Sequence, residues 1–165
     1  ADNSISDYGM HAIKNILKNT ELKSLNLASN MISGEGLELF LDDLIIDKFL
    51  KNLDIGVVEG SMRKTPWVFK ELCAFHSSYQ ELNLESLSVN DNDLGPDGGE
   101  CIGIALSQNE TLKHLKIAEN DLKSEGAIPI IKSATFLSSL SLAKNFIKSD
   151  VGKPLAKLLK HSNNI

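Results

Sequence analysis

One spacing recurs along this chain of 165 residues, L-x-x-L-x-L-x-x-N-x-L/I, with Gly six residues after most of the Asn. It reads Leu22, Leu25, Leu27, Asn30, Ile32, Gly36 and again Leu112, Leu115, Ile117, Asn120, Leu122, Gly126. Further copies are Leu84, Leu87, Val89, Asn92, Leu94, Gly98 and Leu137, Leu140, Leu142, Asn145, Ile147, the last with Val151 at the glycine position and Gly152 following. The chain opens within another copy, Asn3, Ile5, Gly9, Ile13, Leu17, and a degenerate one, Leu50, Leu53, Ile55, has Val58 in place of Asn. From Asn to Asn, with Val58 counted as the substitute, the steps are 27, 28, 34, 28 and 25 residues. A period of this length means one supersecondary unit stacked on copies of itself.

Each part of the repeat has a physical reason. The pairs Leu25 and Leu27, Leu53 and Ile55, Leu87 and Val89, Leu115 and Ile117, and Leu140 and Leu142 alternate as short strands do, with apolar residues on one face. After each Asn, apolar residues three and four apart, such as Phe40, Leu41 and Leu44 or Ile102, Ala105 and Leu106, predict a helix covering the buried side of that strand. The Asn is a short amide able to satisfy backbone groups in its own turn and in the neighbouring coil. Its loss would strand polar groups at about 1–3 kcal/mol each.

This pattern resembles leucine-rich repeats, and the length near 28 with a full helix is similar to the ribonuclease-inhibitor-like subclass, which includes ribonuclease inhibitor, Ran GTPase-activating protein and NOD-like receptors. The resemblance covers nearly the whole chain. It implies an α/β right-handed solenoid, with parallel strands on the concave side and helices on the convex side, working inside the cell. Residues 1–165 then form one repeat domain, with an irregular coil and insertion at about 56–83. Asn3 opens a turn without its strand, and Ile165 falls where the first apolar residue of another repeat would stand, so a piece of a longer horseshoe is expected.

Charge and cysteine content narrow the function classes. Lys and Arg number 17 against 22 Asp and Glu, for a net charge of −5, which disfavours nucleic acid because phosphate neutralisation needs a basic surface. No apolar stretch is long enough to span a bilayer, so no membrane partner is expected. The two cysteines, Cys73 and Cys101, form no C-x-x-C pair or Cys/His cluster. Reduced thiols and a cytoplasmic location are expected. The triplet Asn109-Glu110-Thr111 has the form of a glycosylation acceptor but carries little weight in an Asn-rich chain.

No constellation for chemistry emerges. Asp91 to Gly98 fails as a calcium loop, with Gly95 at the third ligand position, Pro96 at the glycine position and Ile102 where a bidentate Glu is needed. Gly98-Gly99-Glu100-Cys101 lacks the residues of a phosphate loop. The four histidines come from different coils. His114, with Ser86 and Ser139 at equivalent positions beside it, would lie on an open face with neither an oxyanion hole nor exclusion of water. Catalytic residues, metal ligands, cofactor and small-molecule substrate are therefore all expected to be absent.

Two binding surfaces remain. The irregular coil from Gly56 to Tyr79 carries the only Arg, Arg63, and the only Trp, Trp67. Arg63 is its candidate contact, whereas Trp67 falls in a mostly apolar column and is expected to pack between helices. The concave face offers Lys23, Asn26, Lys51, Asp54, Ser86, Ser88, His114, Lys116, Ser139 and Ser141 as candidate protein-binding residues. Its five Lys, two Asp and two Glu leave it polar and nearly neutral, without aromatic anchors. A protein-interaction scaffold with an unidentified protein partner is the expected function. The resemblance also admits a small-GTPase regulator, an architectural cytoskeletal or axonemal component, or the repeat region of an effector delivered into a host cell.

Overall fold

A computed structural model describes residues 1–62 and 82–161. Arg63, Trp67, Cys73, His76 and Ile165 lie outside the described residues, so the expectations placed on them find no structural counterpart. In chain order the elements are α1 (Ser6–Asn19), β1 (Ser24–Asn26), α2 (Gly34–Ile46), β2 (Asn52–Asp54), β3 (Ser86–Ser88), α3 (Gly95–Leu106), β4 (His114–Lys116), α4 (Lys123–Ser133), β5 (Ser139–Ser141) and α5 (Gly152–His161).

The five strands make one parallel sheet in the order β1-β2-β3-β4-β5, so the chain advances one coil at a time. The register follows the repeat: Leu25 pairs with Leu53, Leu53 with Leu87, Leu87 with Leu115 and Leu115 with Leu140. The expected repeat units therefore stack in phase. Leu53, Leu87 and Leu115 are buried, while Leu25 and Leu140 are only half-buried because their strands lie at the sheet edges. Met10 and Leu17 of α1, Phe40, Leu41 and Leu44 of α2, Ile102, Ala105 and Leu106 of α3, and Ile130 and Ile131 of α4 complete the core.

The buried Asn column links coil to coil. Asn145 Nδ2 donates to Ile117 O at 2.8 Å in the coil before and to Leu142 O at 3.0 Å in its own. Its Oδ1 accepts the backbone N–H of Asn120 at 2.8 Å. One coil earlier, Asn120 Nδ2 donates to Val89 O at 2.9 Å and Asn120 Oδ1 accepts the Asn92 N–H at 2.9 Å. The ladder breaks at Val58, whose N–H is taken by Ser29 Oγ at 2.8 Å. Asn92 Oδ1 is left buried without a hydrogen-bond partner among the described residues.

Residues beside the column Asn adopt the left-handed conformation: Ser29 and Met31, Asp91 and Asp93, Glu119 and Asp121, Lys144 and Phe146 all have φ between 50° and 59°. None is β-branched, as this region requires. Among the described residues α3 and α4 approach closely. A Cβ on Gly99 would fall 2.6 Å from Gly126 Cα, and one on Gly103 would fall 2.5 Å from Pro129 Cβ.

Cys101 is disulfide-bonded in place of the expected free thiol, which removes the thiol argument for a cytoplasmic location. Counting cysteines in a sequence does not reveal whether they pair. Asn109, the acceptor of the glycosylation-type triplet, is buried, and its Oδ1 accepts the N–H groups of Thr111 and Leu112 at 3.1 and 2.8 Å. The triplet is a turn device that ends α3 and starts the next coil.

Candidate functional site

The side chains between the buried leucines all leave the same face of the sheet. Strand pairing sets them in two rows, Ser24, Asn52, Ser86, His114 and Ser139 beside Asn26, Asp54, Ser88, Lys116 and Ser141. Neighbours within a row stand one strand spacing apart, about 4.8 Å. A shallow groove of ≈ 310 Å³ crosses this face, lined by Ser24, Asn26, Asn52, Asp54, Ser86, Ser88 and Lys116 together with the leucines beneath. Asn26, Asp54, Ser86, Ser88 and Lys116 are thus brought together among the expected contacts. Lys23, Lys51, His114, Ser139 and Ser141 do not line the groove.

Several of these groups are already engaged. Asn26 Oδ1 accepts the Ala28 N–H at 3.0 Å while its Nδ2 donates to Asp54 Oδ2 at 3.2 Å. Asp54 Oδ1 accepts the Gly56 N–H at 3.1 Å, so both carboxylate oxygens are used. These two residues hold the exits of β1 and β2 as well as decorating the face. Asn52 Nδ2 donates to Ser24 Oγ at 2.9 Å. Lys51 lies 3.6 Å from Glu85 Oε1 and donates to Asn83 O at 3.2 Å.

Sequence reasoning did not anticipate these cross-coil pairings. Reading down a column gives Lys51 then Glu85 on adjacent coils, and that sign alternation is the signal that could have found the pair. At the upper rim Lys144 Nζ donates to Glu119 Oε1 at 2.9 Å. This hydrogen bond, and then the Glu119 charge, hold the exposed Lys144 ammonium above its usual pKa. At the lower rim Lys113 Nζ donates to Glu110 O at 2.8 Å and lies 5.7 Å from the centre of the Phe136 ring. Lys23 and Lys116 are exposed and make no ion pair among the described residues. Ser86 and Ser139 flank His114 in register, an open polar row rather than an enclosed cleft.

On the convex side, Asp43 of α2 is buried and receives Lys14 and Lys18 of α1 at 3.1 and 3.2 Å. The two Lys are four residues apart, so they share one helix face over the carboxylate. A second groove, of ≈ 430 Å³, lies between α4 and α5, lined by Ile131, Lys132, Thr135, Lys153, Pro154, Lys157 and Leu158. Among the described residues no group of three or more His, Cys, Asp or Glu is placed to hold a metal, and no helix is long and apolar enough to cross a membrane.

Residues 18–41, 82–103 and 108–130 match the family model described as Leucine Rich repeat. Over 155 residues the chain is 28% identical to "NACHT, LRR and PYD domains-containing protein 4E" of Mus musculus, a match spanning 87% of this chain and 14% of that protein. It is 26% identical over 156 residues to "NACHT, LRR and PYD domains-containing protein 13" of Homo sapiens, spanning 92% of this chain and again 14% of the relative. The chain therefore covers about one-seventh of the length of these relatives. Among solved structures, "Leiomodin-1 Actin-Binding Site 2 (ABS2)" superposes with a TM-score of 0.69 at 19% identity, covering 94% of this chain and 87% of that one. The tropomodulin C-terminal domain of Caenorhabditis elegans gives a TM-score of 0.69 at 14% identity, with 92% of each chain covered. At such identities the likeness is one of fold.

Proposed function

The chain is a leucine-rich-repeat protein, and from that premise we propose that it is a non-enzymatic scaffold whose strand face docks another protein. The observation that carries this reading is the polar surface of five in-register strands, crossed by a groove and backed by a buried apolar core. A face of this kind gains affinity by summing modest contacts over several coils, and the groove that crosses it is shallow and open.

The test is capture from native extract with crosslinking and mass spectrometry, comparing the chain with a variant carrying Lys23→Glu, Ser88→Glu and Lys116→Glu. Asp54 is left intact because its carboxylate holds the Gly56 turn. Loss of a partner from the variant is the expected result. Retention of the same partner by both would move recognition to the irregular coil with Arg63 or to the helices, and would sink the strand-face reading.

A cytoskeletal role is the second reading, suggested by the likeness in fold to an actin-binding site of leiomodin-1. Cosedimentation with actin filaments tests it, and a chain that stays in the supernatant ends that reading while leaving the scaffold intact. The small-GTPase reading makes a different prediction, acceleration of GTP hydrolysis by added chain. A cytoplasmic location belongs to the scaffold proposal, and imaging of the tagged full-length protein checks it.

A further inference from the structure

We infer that the segment seated on the strand face is acidic: a carboxylate-bearing stretch of polypeptide, one of whose carboxylates is taken by Lys116 Nζ in the central groove. This rests on the scaffold reading and adds the chemistry of the partner.

The inference comes from which charges on the face are already neutralised. The protein as a whole carries −5, so an acidic partner is not what its net charge suggests. On the strand face, however, two carboxylates meet lysines and a third has both oxygens hydrogen-bonded. Glu85 faces Lys51, Glu119 holds Lys144, and both oxygens of Asp54 accept hydrogen bonds from Gly56 and Asn26. The cations are not equally occupied. Among the described residues Lys116 and Lys23 make no ion pair, and Lys113 is met by a neutral carbonyl and an aromatic ring. The charge left over on this face is therefore slightly positive, as five Lys against two Asp and two Glu also give, and Lys23, Lys113 and Lys116 carry it.

The surroundings of Lys116 suit a carboxylate. Ser88 and Ser141 flank it in register on the two adjacent strands, and each hydroxyl can donate to an oxygen that the ammonium attracts. The only acid lining the groove, Asp54, stands two strands away with both oxygens used. Hydroxyls and an ammonium at strand spacing offer donors to an extended chain. Each new ion pair is exposed to water and worth little alone, so recognition depends on register along the segment.

The probes are a peptide alternating Glu and Ser, its Gln-for-Glu counterpart, and a single-stranded RNA, each added to the isotope-labelled chain while backbone amide resonances are followed. The Glu peptide is expected to shift the amides of Ser86–Ser88 and His114–Lys116, with the Gln peptide and the RNA much weaker. Lys116→Gln, an exposed change, should loosen the Glu peptide about two- to fivefold, the range an exposed ion pair supplies. Glu85→Gln releases Lys51 and should tighten the peptide by a similar factor, an effect that a merely structural Glu85 would not produce. Equal binding of the Gln peptide, equal binding of the RNA, or indifference to Lys116→Gln would overturn the inference. A natural partner captured through the strand face but not displaced by the Glu peptide would overturn it while leaving the scaffold standing; a partner captured elsewhere would remove the scaffold's strand face itself.

Discussion

The backbone N–H of Asn120 donates to the side-chain Oδ1 of Asn145, 25 residues further along the chain, at 2.8 Å, in a site where both residues are buried. The bond joins two coils through groups that a strand ladder cannot reach, at the turn where each coil leaves the sheet. It makes the column Asn a connector between repeats.

Asn120 sits within the intact part of this ladder, so its truncation should be the costly one. In Asn120→Ala the carbonyls of Val89 and Ala118 lose a donor and the Asn92 N–H loses its acceptor. A loss of about 2–4 kcal/mol is expected, since each buried group left unmade costs about 1–3 kcal/mol and some will relax. Asn30 Nδ2 donates only to Leu27 and Ala28 of its own turn, and its Oδ1 is already without a partner among the described residues. Asn30→Ala should therefore cost less. Urea unfolding of the two variants checks this, and equal losses would deny the column its inter-coil role.

The interface between α3 and α4 tolerates no added side-chain atom. A Cβ at Gly99 meets the Gly126 backbone and one at Gly126 meets the Pro96 backbone at 2.8 Å, so neither clash can be relieved by turning a side chain. Gly99→Ala should cost about 1–3 kcal/mol as an overpacking change. Gly152, at the start of α5, has nothing within 4 Å of its built Cβ. Gly152→Ala should be neutral or stabilise by up to about 1 kcal/mol through the unfolded chain. Thermal melts of both variants decide whether the close approach is real.

How much was legible depends on the range over which each feature is encoded. Strand register and the Asn column repeat with the period, so Leu25, Leu53, Leu87 and Leu115 could be aligned by counting, and the structure pairs them in that order. The α3 stripe of Gly99 and Gly103 occurs in one coil only, where repetition gives no warning, and its reason is the neighbouring Gly126 and Pro129. The Cys101 disulfide was missed because two cysteines in different coils carry no spacing signature. On the candidate face the rows of side chains were readable, but their neutralisation was not, because Lys51 with Glu85 and Asn26 with Asp54 depend on side-chain reach between coils.

Position along the sheet should set the cost of deleting a strand leucine. Leu115 is fully buried at 0% exposure between Leu87 and Leu140, whereas Leu140 lies on the edge strand and is half-buried. Leu115→Ala is expected to cost about 2–5 kcal/mol through the cavity it leaves. Leu140→Ala should cost clearly less, because its edge site is partly open to water already. Denaturant titration reads the difference, and a loss below about 1 kcal/mol at Leu115 would contradict the stacking of coils described above.

Phe146 offers the opposite kind of change, one that should stabilise. Its φ is 53° and its side chain is 74% exposed, so the ring contributes little burial while the backbone holds a conformation that crowds Cβ against the following carbonyl. Asn occupies this region more readily because its short polar side chain bonds locally. Phe146→Asn should therefore raise stability by up to about 1 kcal/mol, seen as a higher melting temperature with no change in secondary structure. A lower melting temperature would mean that the exposed ring is packed in solution against something that supports it, and would direct the search for a partner to the rim formed by the turns after the strands.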